Sequence, residues 1–127
     1  MARTKLYLVI TWMLISASAL LAASPYGLWI AKVPDKARVQ QNPFEGDTNA
    51  VAAGGKLFRQ NCASCHGADA AGLDDHPSLR TGRIRTATPG ELQWILTNGS
   101  MRNGMPSWSR LPEQQRWQII VYLKSLQ

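Results

Sequence analysis

Cys62-Ala63-Ser64-Cys65-His66 contains both cysteines of this 127-residue chain and one of its two histidines. With no other thiol available, a disulfide framework joining distant segments is excluded, and the pair has to be read as local chemistry. A redox dithiol of the thioredoxin kind would sit in βαβ patterning, and no segment here alternates with the strand period of two. A structural zinc site needs four ligands, and among cysteines and histidines only His76 remains outside the stretch.

The chemistry that fits is covalent attachment of a c-type haem, for which C-x-x-C-H is the signature. Two thiols separated by two residues near a helix end can reach both vinyl groups on one edge of a porphyrin. The histidine that follows is then carried under the iron. Cys62 and Cys65 are therefore the expected attachment points of one haem c, and His66 the expected iron ligand. Candidates for a sixth ligand are Met101, Met105 and His76. Met105 is the best scaffolded: in Asn103-Gly104-Met105-Pro106, glycine permits a tight turn and proline stiffens it, presenting the thioether on a fixed loop.

Outward from the motif, the pattern is helical. Asp47 or Thr48 can cap a helix running toward Asn61, with Val51, Leu57 and Phe58 as its larger apolar members, and its end delivers the cysteines. Thr88-Pro89-Gly90-Glu91 opens a second helix, with Thr88 as N-cap, Pro89 at the first helical position and Glu91 completing a capping box. That helix ends at Asn98-Gly99 and places Leu92, Ile95 and Leu96 on one face. A third follows Pro112 and Glu113, with Trp117, Ile120, Val121 and Lys124 at three- and four-residue spacing. The expected fold is all-α: three main helices around one covalently bound haem, in a domain spanning 47–127. Trp94 and Trp108 are expected to pack on the haem or close its pocket.

Ahead of that domain, 32–46 is polar, carries Pro34 and Pro43 and shows no periodicity, so it reads as a linker. Residues 1–31 read as an export segment, because Arg3 and Lys5 precede a run from Leu6 to Ala31 without a charge. Leu6 to Ser24 alone, at about 1.5 Å per residue, crosses most of a hydrocarbon core of about 30 Å. Pro25 and Gly27 would end that helix, Tyr26 and Trp29 would suit the outer interface, and the positive N-terminus would leave the domain outside. A cleavable signal peptide cut at Ala17-Ser18-Ala19 is the alternative. It strands an apolar tail from Leu20 to Ile30. The expectation is a single-pass anchor in the cytoplasmic membrane with the domain on the periplasmic side, or a periplasmic protein where the segment is removed.

The formal charge of +6 does not point to nucleic acid. Arg3, Lys5 and Lys32 flank the apolar run. From Val33 onward eleven Lys or Arg face eight Asp or Glu, interspersed, and two haem propionates would offset most of the difference. No basic stripe with interleaved aromatics appears. Without the export segment only about 80 to 95 residues remain, a size at which a protein-only core needs a staple such as a covalently held cofactor.

Over roughly 47–127 the chain resembles class I cytochrome c, on the strength of the C-x-x-C-H motif, the methionine loop and the helix pattern. The resemblance implies that Gly54 and Phe58, eight and four residues before Cys62, pack against the last helix at Ile119 and Tyr122. It also implies that the Pro77 carbonyl accepts the Nδ1 proton of His66 and that Leu79 touches the ring, as partners behind a metal ligand do. His76 stands where the family commonly has glycine. It is left as a surface residue, a propionate neighbour or an unexpected ligand. Arg80 and Arg83 can pair with a propionate or belong to a solvated loop.

The function so implied is electron transfer, without enzymatic turnover, because His66 and Met105 would fill both axial positions and leave no site for a substrate. The competing classes are a haem enzyme or small-ligand sensor with a labile methionine, and a haem subunit of a larger respiratory complex. The Asn103–Trp108 stretch is similar to that of small cytochromes accompanying exported quinoprotein dehydrogenases. A bc-type complex or a terminal oxidase is an equal candidate as redox partner.

Overall fold

The computed structural model describes residues 25–127, and the expected membrane or signal helix falls mainly outside the described residues. A 3-10 helix, Pro25–Lys32, leads into a short turn, α1 (Asp35–Arg38), and then α2 (Thr48–Asn61) and α3 (Ala63–His66). After a long loop come α4 (Gly82–Thr86), α5 (Pro89–Asn98), a 3-10 turn at Met101–Asn103 and α6 (Glu113–Ser125). Among the described residues the only extended pairings are two isolated bridges, Leu73–His76 and Ser100–Met105, so the architecture is all-α as expected.

Two of the three long helices begin on side-chain caps, and the third, α6, follows Pro112. The Asp47 carboxylate accepts from the backbone N–H groups of Asn49 and Ala50 at 2.8 and 3.1 Å, satisfying donors that the first turn of α2 leaves free. At α5 both halves of the capping box are made: Glu91 N–H donates to Thr88 Oγ1 at 3.2 Å, and Thr88 N–H donates to the Glu91 carboxylate at 2.8 Å.

The core is the crossing of α2 and α6, where Phe58, Ile119 and Ile120 are essentially without solvent contact. Each contributes about 1.5–3 kcal/mol by leaving water. Gly54 makes that crossing possible: a Cβ there would lie 1.9 Å from the Gln118 carbonyl oxygen. Phe58 meets Tyr122 with ring centroids 5.5 Å apart. Because α6 has α2 on one side and α5 on the other, it buries Arg116 and Leu123 in addition to the expected Trp117, Ile119, Ile120 and Val121.

The segment expected to be a linker is packed against the helices. Val33 is buried in the core cluster, and Asn42 is buried with its Nδ2 donating to the Trp117 carbonyl at 2.9 Å. The polar composition that suggested a tether is used instead for long-range hydrogen bonds. Trp29, expected at a membrane interface, is also in the core cluster, 8% exposed. Among the described residues no helix is long and apolar enough to cross a membrane.

Candidate functional site

The end of α2 and the single turn α3 put Cys62, Cys65 and His66 along one edge of a cavity of about 810 Å3. That volume is in the upper part of the range of about 300–1,000 Å3 usual for small-molecule and cofactor sites. Apolar walls come from Phe58, Ile119 and Leu123 and from one face of α5, Leu92, Ile95 and Leu96. Pro77, Leu79, Arg83 and Ile84 complete it from the loop after the motif and from α4, and Met105 and Trp108 from the segment between α5 and α6.

His66 is held in one tautomer. Its Nδ1 lies 3.0 Å from the Pro77 carbonyl oxygen, which can only accept, so Nδ1 carries the proton and Nε2 keeps a free lone pair. The loop is shaped to allow this: Gly72 N–H donates to the His66 carbonyl and Leu79 N–H to the Ala70 carbonyl, both at 2.9 Å, folding 67–79 back beneath the imidazole. Burial holds the His66 pKa below its ordinary value; the Pro77 hydrogen bond opposes that shift, and neighbouring His76 adds to it. The result is a neutral, oriented nitrogen donor. Burial, with Cys65 beside it, likewise pushes the Cys62 thiol up to about 11, so it stays protonated at neutral pH.

Met105 lines the cavity, whereas Met101 is 73% exposed and does not. The methionine loop is tied to itself by Ser100 N–H donating to the Met105 carbonyl at 2.8 Å and Met105 N–H donating back at 3.2 Å, with Gly104 in the left-handed region. It is tied to α5 by Trp108 N–H donating to the Leu96 carbonyl at 2.8 Å and Ser107 Oγ to the Thr97 carbonyl at 2.6 Å. These two ties were not anticipated from the sequence, since nothing about an isolated serine or a backbone amide announces its partner.

One expected site residue is placed elsewhere, and the two readings left open for Arg80 and Arg83 divide between them. Trp94 is not among the residues lining the cavity; it packs half-buried against the core. At 100° per residue it lies well off the face shared by Leu92, Ile95 and Leu96, which is why the helix cannot present all four to one ligand. Arg80 is exposed and outside the lining, whereas Arg83 is part of it. His76 sits at the margin, exposed, with its ring 6.1 Å from that of His66 and edge-on to it. Trp29, which the sequence placed at a membrane interface, is also among the lining residues.

Two adjacent thiols, an oriented imidazole, a cavity-lining thioether and a mostly apolar wall form a donor set suited to covalent haem c. Comparison with known proteins agrees. Residues 49–123 match the family model described as cytochrome c oxidase, cbb3-type, subunit III. The cbb3-type cytochrome c oxidase subunit CcoP of Rubrivivax gelatinosus is 33% identical over 85 residues, covering 57% of this chain and 28% of that protein. Cytochrome c550 of Pseudomonas aeruginosa is 32% identical over 93 residues, covering 68% of this chain and 62% of its own length. This chain thus spans about a quarter of the first relative and under two thirds of the second.

Among solved structures, cytochrome CL from the marine methylotroph Methylophaga aminisulfidivorans superposes with a TM-score of 0.60 at 26% identity, covering 67% of this chain and 58% of that one. The chain therefore belongs to the cytochrome c family of the cbb3-type oxidase subunit III kind, whose members carry covalent haem c.

Proposed function

We propose that this is a single-haem electron carrier in which Cys62 and Cys65 would form the two thioether bonds and His66 Nε2 and the Met105 sulfur would hold the iron. The observation that carries the reading is the fixed His66 tautomer beside a cavity that Met105 lines and Met101 does not. Haem held in this way supplies reversible one-electron exchange at its iron. The chain's own residues do the rest. The Pro77 carbonyl keeps the imidazole oriented, Arg83 offers a guanidinium at the cavity for a propionate, and Leu79, Leu92, Leu96 and Trp108 exclude water. A thioether ligand in a dry cavity favours the reduced state.

The N-terminal segment, Leu6 to Ser24, anchors the protein in the cytoplasmic membrane with the haem domain outside, or is removed to leave it periplasmic. Donors and acceptors are other redox proteins: a quinoprotein dehydrogenase or bc-type complex on the supply side, and a terminal oxidase on the other. The oxidase is supported by the likeness to an oxidase subunit. The deciding experiment is an absorption spectrum, oxidised and reduced, of the chain made in a host with haem-attachment machinery. A low-spin ferric spectrum with the weak iron–methionine band at the red end of the visible range, lost in Met105→Ala and kept in Met101→Ala, is expected. A high-spin ferric spectrum that takes up cyanide or peroxide readily would replace the carrier with an enzyme or sensor.

A further inference from the structure

Trp29 lies well ahead of the family match at 49–123, yet it lines the same cavity as Cys62, His66 and Met105 and is 8% exposed. The segment that brings it there is fastened through one side chain. The Arg38 guanidinium donates to the carbonyl of Ile30, next to Trp29, and to the carbonyl of Val33 at 3.2 Å. It also pairs with the Glu91 carboxylate, whose side chain is only 7% exposed. Glu91 is the residue that closes the capping box of α5, and Thr88 Oγ1 at the same helix start donates to the Arg38 carbonyl at 2.9 Å. The backbones touch as well: a Cβ on Gly90 would fall 1.8 Å from the Ala37 carbonyl oxygen. The first turn of α5 thus grips the arm, and the face of the same helix, Leu92, Ile95 and Leu96, lines the cavity.

We infer that residues 25–42 form a latch, keyed by Arg38 on the capped end of α5, that seats Trp29 in the haem cavity as part of its wall. The site is then assembled from two parts of the chain, the family domain and an arm outside it. An indole at that place removes water from the cofactor's surroundings, and solvent access is one of the levers by which a protein sets haem potential. Arg38 is a positioning residue: it holds the backbone that follows Trp29, at Ile30 and Val33, and keeps the Glu91 carboxylate compensated.

The inference rests on the cavity being the haem site and is tested on the haem-loaded full chain. The readouts are the reduction potential from an equilibrium titration and the rate at which added imidazole binds the ferric protein. Trp29→Ala lowers the potential and speeds imidazole binding severalfold, while Trp29→Phe, which keeps an aromatic wall, stays near wild type on both. Arg38→Gln cannot make the three-way hold and shifts both readouts in the same direction as Trp29→Ala. In the Trp29→Ala background it adds nothing further, because the two act through one contact.

An unchanged potential and imidazole rate in Trp29→Ala overturns the inference, and additive effects overturn the role of Arg38. Where Trp29→Ala does not accumulate with haem, Arg38→Gln carries the test alone, and an unshifted potential there overturns the latch. A wild type lacking a covalent haem spectrum would sink the site itself. A wild type that binds imidazole at once would sink Met105 ligation, leaving the potential still to report on Trp29.

Discussion

Trp94 and Trp108 are both half-buried, but only Trp108 lines the cavity, where the Arg110 guanidinium covers its ring at 4.2 Å. Trp108→Ala should therefore lower the reduction potential as well as stability. Trp94→Ala should cost a comparable amount of stability, about 1–3 kcal/mol, and leave the potential where it was. Potentiometry beside chemical denaturation of the two variants separates them, and a potential shift from Trp94→Ala would contradict the placement. His66 gives a second prediction at this scale. Its folded-state pKa lies below the ordinary 6.5, so on acidification the unfolded chain takes up that proton first. The stability this contributes is complete above pH 6.5 and is lost as pH falls from there toward the folded-state value. The thermal midpoint should hold through neutrality and decline as pH falls below 6.5. A midpoint rising over that interval would be inconsistent with a buried neutral imidazole.

Helix α2 and helix α6 meet at a point where only a hydrogen fits, and this sets the cost of Gly54→Ala. Alanine is the better helix former by about 1 kcal/mol. Against that, its methyl would sit 1.9 Å from a main-chain oxygen that belongs to α6 and has no rotamer by which to move aside. Overpacking of this kind costs about 1–3 kcal/mol and sometimes more, so it wins, and the variant should unfold at lower guanidinium with an unchanged slope. A variant as stable as wild type would mean that the helices can separate freely. The roles of Gly54 and Phe58 were legible through the family resemblance, which places a glycine and an aromatic eight and four residues before the first cysteine. The caps at Asp47 and Thr88 were legible from the residues themselves, being chemistry between residues two or three apart. Trp94 was misjudged by treating a tryptophan on the right helix as though it were on the right face. The arm was missed because its contacts are distant in sequence: Arg38 to Glu91 spans 53 residues and Asn42 to Trp117 spans 75, and no local pattern encodes either.

For the whole molecule, the question is where the folding unit begins. Sequence pattern starts it at Asp47, whereas the structure puts Trp29 and Val33 in the same core as Phe58 and Ile120. Burial of those two side chains contributes about 1.5–3 kcal/mol each. The Asn42 bond to the Trp117 carbonyl adds about 1 kcal/mol, and removing Arg38 would leave the buried Glu91 carboxylate without its cation, itself a loss of about 3–5 kcal/mol. Losses of that size compare with the whole stability of a small domain, about 5–15 kcal/mol. A haem-loaded chain from residue 25 should accordingly keep the denaturation midpoint of the full-length protein, whereas one from residue 47 should lose most of it, thioether bonds intact. The arm also leaves little slack: a membrane segment ending at Ser24 would be joined to Trp29 through Pro25–Leu28, about 8 Å of 3-10 helix. The haem domain would then ride at a set height above the bilayer. Equal midpoints for the two truncations would restore the arm to a tether, on which the domain could swing.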